Sequence, residues 1–197
     1  MLRVDPVILE GVVARLEPLA PAHAADLFAA AHDASTWAYM PADPSASVAA
    51  ISAWIAEALG QREAGGQMPF AIIERASGRA VGSSRYLNIM AHDRGLEIGW
   101  TWLAPAVRRT AVNTECKYLL LRHAFEELGT IRVQLKTDRR NEVSQRAIER
   151  LGAVREGILR QHMIVRDGYQ RDSVMYSIIA SEWPAVRARL EAWLPHA

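Results

Sequence analysis

The sequence predicts a mixed α/β domain, a mixed sheet with helices on both faces. Three observations predict it. The β-rich runs of the first half follow one another as a meander; from Leu96 onward strands alternate with helices; and the last two strands close as a hairpin. The 197 residues read as one domain, because no linker, repeat or low-complexity segment divides them, and Pro41 to Pro44 is too short to be more than a loop.

Taken in order, a strand is expected near Gly11 to Pro18, a helix from Ala22 to Ala31, and a second helix from Ser47 to Arg62, with Gly60, Gly65 and Gly66 punctuating its end. Strands follow at Met68–Arg75, Arg79–Asn88 and Leu96–Leu103, the first two joined by the tight-turn pair Ser77-Gly78. In the next helix, beginning near Thr114, Cys116, Leu119, Leu120, Ala124 and Leu128 share one face, and Gly129 is placed to end it. A strand Ile131–Thr137 and a helix Glu142–Leu151, closed by Gly152, come next. The runs VREGILRQHMIV and DSVMYSII form a hairpin with Asp167-Gly168 in its connection, and SEWPAVRARLEAWL is a terminal helix with Pro184 in its first turn.

Half the residues are hydrophobic and 23% charged, as in a soluble globular protein. With 23 Lys and Arg against 22 Asp and Glu, the net charge of +1 gives no general attraction to nucleic acid or membrane, so any basic site is local. The single Cys116 has no internal disulfide partner, MLRVDPVILEG lacks the features of a signal peptide, and no apolar run is long enough to span a bilayer. A cytoplasmic location is expected. His23, His32, His92, His123, His162 and His196 are scattered, so no metal is expected.

The stretch from Leu96 to Gly152 carries the most information. LEIGWTWLAP runs into the basic loop AVRRTAVN, which opens the helix TECKYLLLRHAFEEL; IRVQLKTD and the capped helix NEVSQRAIERLG follow. A strand that feeds a helix through a short cationic loop brings unpaired backbone N–H groups and the positive end of a helix dipole to one point, which suits a phosphate or pyrophosphate. Two adjacent arginines are usually a solvated pair. Just before a helix N-terminus, where the dipole disfavours cations, Arg108 and Arg109 make sense if an anion lies between them and the helix.

This order of elements and these words resemble the GNAT N-acetyltransferases, and within them the ribosomal-protein N-terminal acetyltransferase branch (RimJ/RimL-like). The resemblance covers about Val12 to Trp183 and is most specific from Glu97 to Gly168. It implies a GNAT-like mixed, mostly antiparallel central sheet with a splayed pair of parallel central strands, here Leu96–Leu103 and Ile131–Thr137. Acetyl-CoA would bind in their V-shaped opening and pass its acetyl group directly to an amine, a protein N-terminus or a small molecule. Contacts to the co-substrate would come from Trp102, Leu103, Arg108, Arg109, Thr110, Ala111, Val112, Asn113, Thr114 and Asn141. The family's pyrophosphate loop, Gln or Arg, two residues, Gly, one residue, Gly or Ala, falls on Arg108 to Asn113. Arg108 matches, whereas Ala111 replaces the central Gly and Asn113 the last small residue. If position 111 needs a positive φ, Ala costs roughly 1–2 kcal/mol there.

The resemblance also assigns chemistry. An amine must lose a proton to attack, and Glu97 stands where parts of the family carry the general base, although a strand-end Glu facing solvent is the plainer reading. Many members have a Tyr, four residues before the Gly that closes the second helix, to protonate the departing thiolate; here that position is Ile148. Ser144 takes the thiolate-facing role by analogy with the ribosomal-protein branch, and Asn141, also an excellent N-cap, would hold the pantetheine. Trp37, with Tyr39 and Met40, is expected to border the acceptor groove. Cys116 is read as a packed hydrophobe, because direct transfer needs no acyl-enzyme, and His123 as a helix-face residue. Backbone N–H groups near Gly99–Thr101 would polarise the thioester. A homodimer is expected through the outer face of the hairpin Glu156–Ile179 or through the terminal helix with Trp183 and Trp193. The alternatives are a longer acyl donor such as succinyl-CoA, which arginines lining the acyl pocket would favour, and a degenerate CoA-binding or interaction domain, motivated by Ala111 and Ile148.

Overall fold

The structure, a computed structural model, describes residues 2–195; His196 lies outside them. The strands are β1 (Leu9–Glu10), β2 (Ala14–Pro18), β3 (Met68–Glu74), β4 (Arg79–Met90), β5 (Gly95–Leu103), β6 (Arg132–Asp138), β7 (Val154–Ile164) and β8 (Gln170–Ile179). They form one sheet in the order β1-β2-β3-β4-β5-β6-β8-β7, antiparallel throughout except for the parallel pair β5 and β6. The helices are α1 (Ala24–Ala30), α2 (Val48–Glu63), α3 (Ala111–Arg122), α4 (Glu142–Leu151) and α5 (Trp183–Glu191). No helix among the described residues is long and apolar enough to cross a membrane.

Local chemistry sets most boundaries. Ser47 caps α2 by accepting from the Ala50 N–H at 3.1 Å, Asn141 caps α4 by accepting from the Ser144 N–H at 3.0 Å, and Gly152 ends α4 at φ +105°. Two boundaries depart from the expectation. The strand expected from Gly11 starts its β3 pairing at Ala14, because the preceding turn is held otherwise: the buried carboxylate of Glu115, on α3, accepts from the backbone N–H groups of Val12, Val13 and Ala14 at 2.8, 2.7 and 2.6 Å. A Cβ on Gly11 would lie 2.4 Å from the Glu115 carboxyl carbon, so only glycine fits that turn. The helix expected from Thr114 begins at Ala111, because Thr110 is the cap; its hydroxyl accepts from the Val112 N–H at 3.3 Å and donates to the Val107 carbonyl at 2.7 Å.

Successive residues of β4 point to opposite faces of the sheet. The Tyr86 hydroxyl donates to the Leu120 carbonyl of α3 at 2.6 Å, whereas Arg85 lies against Trp54 of α2. One face is thus covered by α3, α4 and α5, the other by α1 and α2. Cys116, Leu119, Leu120 and Ala124 are buried as their spacing predicts, and complete burial pushes the Cys116 thiol up to about 11, as befits packing rather than nucleophilic duty. His123 lies on the buried side of its helix. It opens a π turn (His123–Glu127), is buried beside Tyr86 with its Nδ1 3.2 Å from the Tyr86 hydroxyl, and burial holds its imidazole below the usual range.

Candidate active site at the splayed strands

β5 and β6 pair only from Gly95 to Glu97 and from Arg132 to Gln134. Beyond those rungs each strand follows its other neighbour: β6 stays with β8 as far as Asp138 opposite Ser173, and β5 stays with β4 as far as Leu103 opposite Gly82. The divergence coincides with a register shift between Ser83 and Arg85, across from which Trp100 takes φ +51°. The result is an open V whose β5 arm turns unpaired backbone groups toward β6.

The β5 arm leads through a short 3-10 turn (Pro105–Val107) to Arg108, Arg109 and the Thr110 cap, so the first turn of α3 aims its N–H groups back along the loop. The positive φ in this loop belongs to Arg109, at +62°, and Ala111 is the first helical residue. The strain expected at Ala111 is therefore absent; the left-handed step that a Gly would take there has moved two residues back. The two arginines also part company. Arg108 folds away from the helix terminus: its guanidinium donates to the Leu103 carbonyl at 3.1 Å, to Asp33 at 2.9 Å and to the Thr36 hydroxyl, all but the first on the segment between α1 and α2. Arg109 is exposed beside the terminus. Val112 and Thr114 are buried in the first turns of α3, and Arg150 of α4 reaches the Thr114 hydroxyl at 3.0 Å, joining the two helices.

Glu97 sits at the last rung before the V opens, buried to 1% exposure rather than facing solvent. One carboxylate oxygen, Oε2, accepts from Asn88 Nδ2 at 2.9 Å, Gln134 Nε2 at 3.0 Å and Lys136 Nζ at 3.1 Å. The other, Oε1, turns toward Gly99, where a Cβ would meet it at 3.0 Å. At the far end of β6, Asp138 is buried and is paired with Arg140 at 2.8 Å; burial raises its carboxyl, but the hydrogen bonds from Arg140 prevail and hold it below the usual range. The Arg140 guanidinium lies 3.6 Å from the ring centre of Tyr169 and 5.6 Å from that of Tyr39. Arg166, in the β7–β8 connection, donates to the Trp37 carbonyl and reaches Asp43 at 3.2 Å. Arg108, Arg140 and Arg166 together tie the α1–α2 segment to the far ends of β5 and β6 and to the β7–β8 connection.

Trp37 does not border a groove. It is fully buried, its indole N–H donates to the Ala31 carbonyl at 2.9 Å, and its ring lies 4.9 Å from that of Trp102. Trp102 and Leu103 are buried as well, which leaves their backbone for the V. Asn141 uses Oδ1 as the α4 cap, with Ser144 in the same first turn; Ile148 is buried against the core. The residues not foreseen are Asn88, Gln134, Lys136, Arg85, Arg171 and His162. The alternation in RVQLKTD offered a signal: Arg132, Gln134, Lys136 and Asp138 share one face of a strand whose other face carries Val133, Leu135 and Thr137, an unusual polar content for a central strand. His162 places Nδ1 3.0 Å from the Ser173 hydroxyl, and burial, then Lys136 and Arg171, hold its imidazole below the usual range.

Comparison with known proteins agrees with this fold. Residues 14–154 match the family profile described as "Acetyltransferase (GNAT) domain". The chain is 34% identical over 96 residues to the "Putative ribosomal N-acetyltransferase YdaF" of Bacillus subtilis (strain 168), across 49% of this chain and 51% of that protein, so it spans about half the length of the curated relative it matches. Among solved structures, a GCN5-related N-acetyltransferase from Brucella melitensis is similar at a TM-score of 0.91 and 33% identity, covering 98% of this chain and 87% of that one. A "putative acetyltransferase" from T. thermophilus is similar at a TM-score of 0.89 and 41% identity, covering 98% of this chain and 100% of that one.

Proposed function

Since the chain belongs to the GNAT acetyltransferases, we propose that it carries an acyl group, acetyl in the family's name, from coenzyme A directly to an amine. A protein N-terminus of the ribosomal-protein kind or a small-molecule amine would be the acceptor, in the cytoplasm. The observation that carries this reading is the V beyond Glu97 and Gln134, with the N-terminus of α3 at the end of one arm. Pyrophosphate oxygens would accept from the N–H groups of the first turn of α3, with Arg109 beside them; Arg108 holds the loop's shape rather than the phosphate. The pantetheine would lie along β5 and take up its unpaired backbone groups, with the Asn141 amide nitrogen opposite. N–H groups near Gly99–Thr101 would polarise the thioester carbonyl.

In the reaction the amine nitrogen forms a bond to the acyl carbon, the carbon–sulfur bond breaks, the amine proton passes to Glu97 Oε1 directly or through one water, and the thiolate takes a proton relayed by the Ser144 hydroxyl, which solvent replaces. Lys136 and its neighbours fix the other carboxylate oxygen, so the base enters the reaction already oriented. The test is release of free thiol from acetyl-CoA over a panel of amines that includes peptides with free N-termini, beside calorimetric titration of acetyl-CoA. Turnover with at least one amine is expected. Binding with no turnover across the panel would favour the non-catalytic alternative.

Two further outcomes follow from the geometry. Ala111→Gly should leave acetyl-CoA affinity within about twofold, because Ala111 already has helical φ, while stability falls by up to about 0.5–1 kcal/mol from the freer unfolded chain. A fivefold gain in affinity by calorimetry would mean that the loop changes shape around its ligand. The homodimer reading is supported by β7, an edge strand carrying Val154, Leu159 and Ile164 at 50, 45 and 75% exposure, and by Trp193 at 43% on the terminal segment. Light scattering at micromolar concentration should return twice the chain mass of 21.8 kDa, and a monomer there ends the idea.

A further inference from the structure

Arg85 projects from β4, opposite Gly99 of β5, on the face covered by α2. Its side chain is completely buried, and its guanidinium carbon lies 4.5 Å from the ring centres of both Trp54 and Trp100. One nitrogen, Nη1, donates to Gln67 Oε1 at 2.9 Å and is 3.5 Å from the half-exposed Glu57 carboxylate. Nε and Nη2 are buried and, among the described residues, have no hydrogen-bond partner; the same holds for the indole nitrogens of Trp54 and Trp102, whose rings are 6.3 Å apart. Four nitrogen donors on three neighbouring side chains thus have no acceptor among the described residues. A buried donor left without a partner forfeits its hydration for nothing in return, most severely on a charged group, and a native core does not usually carry four of them together. Nε and Nη2 form the edge of a guanidinium that grips a carboxylate with two parallel hydrogen bonds.

The place of this cluster decides what it reads. Gly99 stands where β5 leaves β6, beside the backbone groups assigned above to the thioester, and a cross-strand neighbour lies only about 4.5–5.5 Å away. Trp100, the next residue of β5, is half-buried and lies over the same guanidinium. We propose that Arg85, with the indole N–H groups of Trp54 and Trp102, forms a carboxylate subsite, and that the preferred donor is the CoA thioester of a short dicarboxylic acid rather than acetyl-CoA. This rests on the transferase reading. The chemistry is unaltered: the carbon–sulfur bond breaks, the carbon–nitrogen bond forms, the amine proton goes to the base and CoA leaves as its thiol, while the distal carboxylate stays ionised and only positions the chain. Burial pushes the Arg85 guanidinium down to about 10, which still leaves it cationic at neutral pH.

The test compares succinyl-CoA with acetyl-CoA in calorimetry and in thiol release with one fixed amine, for the wild type, Arg85→Met and Trp54→Phe. The wild type should favour succinyl-CoA at least about tenfold in kcat/KM, the scale of one charge-assisted bidentate contact. Arg85→Met should abolish or reverse that ratio. Trp54→Phe keeps the ring and removes one donor, so it should lower the ratio by several-fold even if Arg85→Met does not fold. Equal use of both donors by the wild type, or a ratio that neither variant moves, overturns the proposal. So does an unmoved ratio accompanied by a raised KM for a carboxylate-bearing acceptor, which would put the carboxylate on the acceptor instead. If neither thioester binds, it is the transferase reading that falls; if acetyl-CoA binds and turns over without a succinyl preference, only the subsite does.

Discussion

Glu97→Gln should lower turnover about a hundredfold or more while acetyl-CoA affinity stays within about twofold. The carboxylate lies at the last rung of the β5–β6 ladder, with Oε2 held by Asn88, Gln134 and Lys136 and Oε1 turned toward Gly99. A glutamine keeps the volume and can present its oxygen to the same three donors, but the group then facing Gly99 is an amide nitrogen, which cannot take a proton. General-base catalysis contributes about 10²–10⁴-fold, whereas the contacts proposed for the co-substrate, on the loop, α3 and the β5 backbone, are untouched. Thiol release at saturating acetyl-CoA, paired with calorimetry, reads both numbers. A loss below threefold would leave Glu97 as a structural anchor for Lys136.

The largest effect on stability is expected from Glu115→Gln, which should cost about 3 kcal/mol or more and lower Tm by roughly 6–12 °C. Three successive backbone N–H groups converge on this carboxylate at 2.6–2.8 Å, in a turn where Gly11 leaves no room for rearrangement. The amide offers one acceptor oxygen and sets its NH2 against an N–H that has nowhere else to donate. Since Glu115 also ties the first strands to α3, the cost is shared by two elements far apart in sequence. Thermal unfolding followed by circular dichroism measures it, and a shift under 2 °C would show that water reaches the three N–H groups.

How far the molecule can be read from its residues alone follows the range of the forces involved. The helix start at Ser47, the cap Asn141, the stop at Gly152 and the β-rich runs of β3 and β4 depend on a few neighbouring residues, and they stand within a residue or two of where they are expected. The start of α3 lies three residues before the expected Thr114 because Thr110 and Thr114 are both good caps, and only the partners of the Thr110 hydroxyl choose between them. Trp37 leaves the groove for the core because its burial is decided by Trp102, a residue on a strand much later in the chain. The ring of Asn88, Gln134 and Lys136 around Glu97, and the meeting of Arg85 with its tryptophans, rest on the register of β4, β5 and β6. No local pattern encodes a register shift between Ser83 and Arg85.

The short β5–β6 ladder has a thermodynamic consequence. With only three rungs joining them, β1–β5 and β6–β8 are two leaves on a narrow spine, braced on one face by α3 against α5, where Tyr118 reaches Glu191 at 2.8 Å, and on the other by Arg166 and Arg140 against the α1–α2 segment. The braces let the backbone between the leaves remain open. In the proposed complex the amides of the pantetheine arm enter that gap as a surrogate strand, so the co-substrate completes the sheet. Folding and occupancy then become one linked equilibrium, in which each tenfold of free ligand above its dissociation constant adds about 1.4 kcal/mol to the native state.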